Sequence, residues 1–187
     1  MGTSLQVVPA PDQAPAQPSD VRIHLLPTHQ VNGHLDTLVR LAAEAFAGPP
    51  WRETEDDARA LGTRLLDDVD RPGFVLALAS WCGHPAGFAY GVRSLRLVTL
   101  AGTAPVSGPP PFELRELAVR PAAQGCGLGA GLHDAVLDAS REGPRWLATH
   151  PGARAAVALY RCRGWRSIRL VPTCPGAGLR VLMHRPR

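Results

Sequence analysis

Lysine is missing from this chain of 187 residues, and all 20 of its basic side chains are arginine. Any mechanism that needs a lysine is therefore excluded. Asparagine occurs once, as Asn32, and isoleucine only as Ile23 and Ile168, a bias that points to a GC-rich genome more than to a partner. No apolar run reaches the roughly 18 residues that cross a bilayer. The N-terminus has no basic start followed by an apolar stretch, so no secretion signal is read. The expectation is a soluble, cytoplasmic protein without a membrane partner. The cysteines Cys82, Cys126, Cys162 and Cys174 form no CxxC pair, which argues against a disulfide framework or a zinc site, and no metal is expected. The formal charge of +4 comes from scattered arginines with no dense basic tract, so nucleic acid is not an expected partner either.

What is present reads as one α/β (α+β) domain over residues 21–187, after a Pro/Ala/Gln/Ser-rich tail at 1–20 with little to bury. Val21 to Leu26 can form a strand. Leu35, Leu38, Val39, Ala42 and Phe46 recur at helical spacing over His34 to Ala47, and Gly48-Pro49-Pro50 must end that helix. Thr54 followed by Glu55, Asp56 and Asp57 is a helix start. Phe74 to Trp81 and Ala86 to Val92 read as a hairpin, and Leu95 to Leu100 as a strand extension. In the strand Phe112 to Val119, Phe112 and Leu114 share one parity while Leu117 and Val119 share the other. A strict two-residue repeat cannot put all four on one face, so a β-bulge is expected near Arg115–Glu116. Leu128, Leu132, Ala135, Val136 and Ala139 make one helical stripe. Trp146 to His150 is a short strand, Ala153 to Arg163 a helix, and Trp165 to Val171 and Leu179 to His184 are closing strands.

Between the bulged strand and its helix lies Gln124-Gly125-Cys126-Gly127-Leu128-Gly129. Glycines let the backbone approach a ligand, and the unpaired N–H groups of a first helical turn favour an anion, so this turn can seat a pyrophosphate. A Walker A loop needs lysine and is out. A dinucleotide fingerprint fits formally as Gly125-x-Gly127-x-x-Ala130. However, the next strand ends without the acid that binds the ribose, and too little chain follows for a doubly wound sheet.

Two segments together resemble the GNAT superfamily of bacterial N-acetyltransferases. The first is Leu117-Ala118-Val119-Arg120-Pro121 leading into Gln124-x-x-Gly127-x-Gly129. The second is a helix with Ala156, Leu159 and Tyr160 that ends at Gly164-Trp165. The resemblance spans about residues 21–185. It implies a mixed, mostly antiparallel sheet of about six to seven strands flanked by about four helices, splayed between the fourth and fifth strands. It also implies acetyl-CoA as co-substrate and transfer to an amine of a small molecule or peptide by a monomer or homodimer. The amides from Gln124 through Gly125, Cys126, Gly127, Leu128 and Gly129 to Ala130 would hold the pyrophosphate. Leu117, Ala118 and Val119 would pair with the pantetheine arm. An asparagine often found near the start of the later helix is replaced at about Ala153. The alternative class is a GNAT-fold module that binds acyl-CoA without turnover.

Tyr160 matches the family tyrosine that protonates the leaving thiolate. A base must take a proton from the amine, and Glu113 and Glu116, both on the bulged strand, are the candidates. Glu113 matches the family position better, while Glu116 sits at the bulge, where a side chain can be re-aimed. Cys126, a thiol at a helix start, is a rival nucleophile but has no Cys/His companion in the sequence. His24, His29 and His34 read as surface residues. The acceptor would lie between Ala47–Asp57 and Val171–Gly178, with Phe46 and Trp51 as an apolar wall, Glu53 to attract a cationic amine and His150 at the cleft.

Overall fold

The computed structural model describes residues 21–103, 108–140, 143–172 and 178–186; the expected tail at 1–20 lies outside them, as does Cys174. Seven strands, β1 (Val21–Leu25), β2 (Val75–Trp81), β3 (His84–Arg93), β4 (Phe112–Val119), β5 (Arg145–Thr149), β6 (Arg166–Pro172) and β7 (Leu179–Arg185), form one sheet in the order β1-β2-β3-β4-β5-β7-β6. Every neighbouring pair is antiparallel except β4 and β5. The helices are α1 (Val31–Phe46), α2 (Glu55–Asp68), α3 (Arg96–Ala101), α4 (Leu128–Ala139) and α5 (Arg154–Cys162).

Local chemistry explains most boundaries. α1 begins three residues before the expected His34, because Val31 is fully buried and extends the apolar stripe by one turn. The start of α2 is a reciprocal cap: Thr54 Oγ1 accepts from the Asp57 amide at 3.2 Å, and Asp57 Oδ2 accepts from the Thr54 amide at 2.8 Å. Cys82 and Gly83 turn the β2–β3 hairpin with φ of 50° and 78°, the positive values a two-residue hairpin loop needs.

One expectation is corrected. Residues 96–101 form α3, not a strand, so the described residues hold five α-helices around the sheet. Leu97, Val98 and Ala101 bury on Trp146, Val171 and Leu182, and the i, i+1, i+4 spacing of those three residues is helical.

The bulge stands where parity required it. Tyr90 pairs with Glu116 and Gly91 with Leu114, which leaves Arg115 as the extra residue. Phe112, Leu114, Leu117 and Val119 consequently reach one core cluster, with Leu128, Leu132 and Val136 of α4. Each large apolar side chain fully buried there contributes about 1.5–3 kcal/mol. Gly91 has to be glycine: a Cβ on it would lie 2.4 Å from the Glu113 carbonyl oxygen and from Phe112 Cζ. The opposite face of the sheet carries α1 and α2, packed through Leu38, Leu41, Leu61 and Leu65 onto Leu76, Leu78, Phe88 and Tyr90.

Candidate active site

β4 and β5 run side by side for three residues only, Phe112–Leu114 against Arg145–Leu147. Beyond them the strands part, and a cavity of about 450 Å³ opens between Leu117 and Val119 on one side and Ala148 and Thr149 on the other. Gln124, Gly125 and Gly129 form one end. Ala153, Arg154, Ala156, Leu159 and Tyr160 of α5 and its approach form a wall, and Phe46, Pro49, Pro50 and Trp51 close the far end.

At the glycine turn, Gly125 and Gly127 have φ of 81° and 80°, a region in which a side chain is strained. Gln124 Nε2 donates to the Val119 carbonyl at 3.0 Å, tying the turn to the strand end. The first helical bond of α4 runs from the Gly131 amide to the Gly127 carbonyl at 3.0 Å. Among the described residues, the amides of 125 to 130 therefore donate to no backbone carbonyl. They lie at the positive end of α4, with the chemistry of an anion seat. The side chain of Cys126 is exposed, 3.9 Å from the Gln124 carbonyl oxygen, and Cys126 is not among the residues lining the cavity.

The two strand carboxylates separate. Glu116 lines the cavity with its side chain 22% exposed, and Arg64 Nη2 stands 3.4 Å from its Oε1. Burial pushes its carboxyl up to about 7, helped by the charge of Glu53 and opposed by Arg64 and Arg115. Glu113 is 1% exposed and does not line the cavity; Arg96 Nε reaches its Oε1 at 3.1 Å and Arg115 Nη1 at 3.4 Å. The structure thus brings Glu116 and Tyr160 to one cavity and holds Glu113 in a buried ion cluster.

Tyr160 is 6% exposed, and burial first, then the charge of Glu116, raises its phenol well above the usual value. Its ring is set by Trp165, with centroids 6.0 Å apart, and by His133 at 6.1 Å. Trp165 Nε1 donates to His133 Nε2 at 2.9 Å, so the neutral imidazole carries its proton on Nδ1, 2.7 Å from Asp134 Oδ1. Burial lowers the affinity of His133 for a second proton.

The expected acceptor residues gather at the far end. Trp51 meets Phe46 edge-on at 5.3 Å and His150 at 5.6 Å, and the Arg180 guanidinium lies 5.4 Å from its ring centroid. Glu53 is half-buried and does not line the cavity. Its carboxyl is raised by burial and by Asp57, against Arg64 and Arg180. His150 does not line the cavity; its Nδ1 accepts from the Gly152 amide at 3.0 Å. Of the expected acceptor loop 171–178, residues 173–177 lie outside the described residues.

Sequence reading missed Arg64, Arg154 and Arg180. A local signal existed for Arg154, a cation in the first turn of α5 and so at the wrong end of the helix dipole.

Residues 35–165 match the sequence profile described as the Acetyltransferase (GNAT) family. Among curated protein sequences, none matches significantly. Solved structures share the fold. PH1933 from Pyrococcus horikoshii OT3 has a TM-score of 0.66 at 18% identity, over 89% of this chain and 98% of that one. The ribosomal-protein-S18-alanine N-acetyltransferase of Escherichia coli gives 0.60 at 21%, over 89% and 93%. The PaiA N-acetyltransferase of Thermoplasma acidophilum, solved with coenzyme A, gives 0.59 at 15%, over 89% and 99%. With that profile matched over more than half its length and the parted strands, glycine turn and seven-stranded sheet in place, the chain belongs to the GNAT acetyltransferase family.

Proposed function

We propose that the chain transfers the acetyl group of acetyl-CoA to a primary amine of a small molecule or peptide, by direct attack in a ternary complex. The observation that carries this is one cavity lined by Gly125 and Gly129, whose amides donate to no backbone carbonyl, and by a carboxylate and a phenol, Glu116 and Tyr160. The amides of 125–130 suit the pyrophosphate, and Arg154 adds a cation to the same cavity. The parted edge of β4 at Leu117–Val119 suits the amide-bearing pantetheine arm, as an added strand would be held.

Attack requires a neutral amine. Glu116, held near 7, takes the proton from the ammonium in the physiological range, which a fully solvated carboxylate does less readily. The amine nitrogen then bonds the thioester carbon, and the C–S bond breaks. Tyr160 has a harder task than simple donation, because its phenol is raised far above a thiol of ordinary pKa, about 8.5. It therefore stays protonated and hydrogen-bonds the sulfur as negative charge develops there, and the second proton, shed by the nitrogen as it becomes an amide, ends on the departing sulfur, which leaves as the free thiol. Phe46 and Trp51 give the acceptor an apolar wall, and Glu53 and Glu116 favour a cationic amine.

Calorimetry with acetyl-CoA, followed by thiol release over a panel of primary amines, tests the reading. Wild type should bind and release thiol with at least one amine. Gly127→Glu should fold but give no binding heat, since it places a charged side chain at a φ of 80° in the seat. Absence of heat with folded wild type would sink the proposal, whereas binding without release on any amine would favour a non-catalytic acyl-CoA-binding module.

A further inference from the structure

Behind the bulge of β4 lies a row of charges that no reacting group touches. Arg71 Nη1 is 3.0 Å from Asp68 Oδ1, and Arg115 Nε is 3.5 Å from Asp68 Oδ2. Arg115 Nη1 is also 3.4 Å from Glu113 Oε1, where Arg96 closes the row. The Tyr90 hydroxyl donates to Asp68 Oδ2 at 3.4 Å. The side chains of Asp68, Glu113 and Arg115 are only 6%, 1% and 14% exposed.

Buried ion pairs add little net stability, because desolvation offsets most of the attraction. A buried row of this length needs another reason, and its position supplies one. Arg115 is the extra residue of the bulge, and Tyr90 is the residue paired with Glu116 across it. Both strands are therefore tied to Asp68 of α2 at the point where the alternation resets.

We propose that this row positions Glu116: Arg115, ion-paired to both Asp68 and Glu113, fixes the bulge so that the next side chain enters the cavity. Arg115 is a positioning residue and not a catalytic one, and its role rests on Glu116 being the base. Moving the bulge by one residue would send Glu116 to the opposite face of the sheet. The charged and titratable groups facing Glu116 are Arg64 from α2, Glu53 from the loop after α1, Arg115 from its own strand, Tyr90 from β3 and Tyr160 from α5. Removing Arg115 therefore acts twice in one direction: it frees the bulge and deletes one of the two cations that favour the carboxylate.

The test is a carbon-13 titration of the Glu116 carboxyl, assigned from the signal lost in Glu116→Gln, in wild type, Arg115→Met and Arg115→Lys. Turnover and acetyl-CoA calorimetry accompany it. Arg115→Met should raise the Glu116 midpoint by about half a pH unit or more. It should slow turnover at neutral pH about tenfold, a general base that is partly protonated and misaimed, and leave acetyl-CoA affinity within about twofold. Arg115→Lys, which restores charge without the two-pronged grip, should return the midpoint but only part of the turnover. If Arg115→Met does not fold, Arg115→Gln takes the same measurements. A wild-type midpoint and turnover per folded molecule, whatever the loss of stability, would overturn the proposal. Because the midpoint is read without catalysis, a fully active Glu116→Gln would remove the base assignment alone, and full turnover in Arg115→Lys, which keeps the charge, the positioning role alone.

Discussion

The two halves of β4 differ in what they pair with and in the charges around them. Before the bulge, Phe112–Leu114 is paired on both sides, to β3 and to β5, and its carboxylate, Glu113, is clamped by Arg96 and Arg115. After it, Glu116–Val119 is paired on one side only, and its carboxylate faces a cavity with one arginine at 3.4 Å. The same residue type, three positions apart on one strand, is buried in an ion cluster in one half and lines the cavity in the other. What separates them is pairing and counter-charge, not identity.

The comparison breaks most visibly at Glu116. Glu116→Gln should cut turnover with an amine about 100-fold or more, the usual worth of a general base. It should also abolish the acid limb of the kcat/KM profile, which in wild type rises through about pH 7 as the carboxylate forms. An intact limb would assign the proton transfer elsewhere. Glu113→Gln should do the reverse. Taking the buried counter-charge from Arg96 and one of the two from Arg115 costs about 3 kcal/mol, which lowers the melting temperature by about 6–12 °C. Thiol release per folded molecule should fall by less than about threefold, since Glu113 lies outside the cavity and Asp68 still holds Arg115. A large loss of release at unchanged stability would erase the distinction between the halves.

The smallest effect concerns stability and pH. Burial raises the folded-state carboxyl of Glu116 from 4.5 to about 7, so the folded protein binds a proton there that the unfolded chain has released. Its contribution to stability is thus lost as pH rises from 4.5 toward 7, and Glu116→Gln should gain on wild type across that window. A melting-temperature difference that stays flat with pH would contradict it.

Much of this was legible in the residues. The parity conflict between Phe112 and Leu114 and between Leu117 and Val119 located the bulge, because side-chain alternation in a strand leaves only that solution. Thr54 with three acids after it gave the start of α2. The glycine turn and Tyr160 came through motif and order. α3 was not legible: in the run from Leu95 to Leu100 a helical and a strand spacing both fit, and contact with Trp146, Val171 and Leu182 decided it. Which of Glu113 and Glu116 faces the cavity was equally closed to sequence, since the surroundings of the two include Arg96, 17 positions from Glu113, and Arg64, 52 from Glu116.

The parting of β4 from β5 has a consequence for how the sheet meets other chains. A strand with free main-chain donors and acceptors on one side is normally found at a sheet's perimeter, where it invites association with whatever extended segment arrives. Here such a rim sits inside the molecule, between Leu117–Val119 and Ala148–Thr149, with α5 alongside. Set between two strands and a helix, that edge is less open to another sheet than a perimeter strand is, which lowers the tendency to aggregate there.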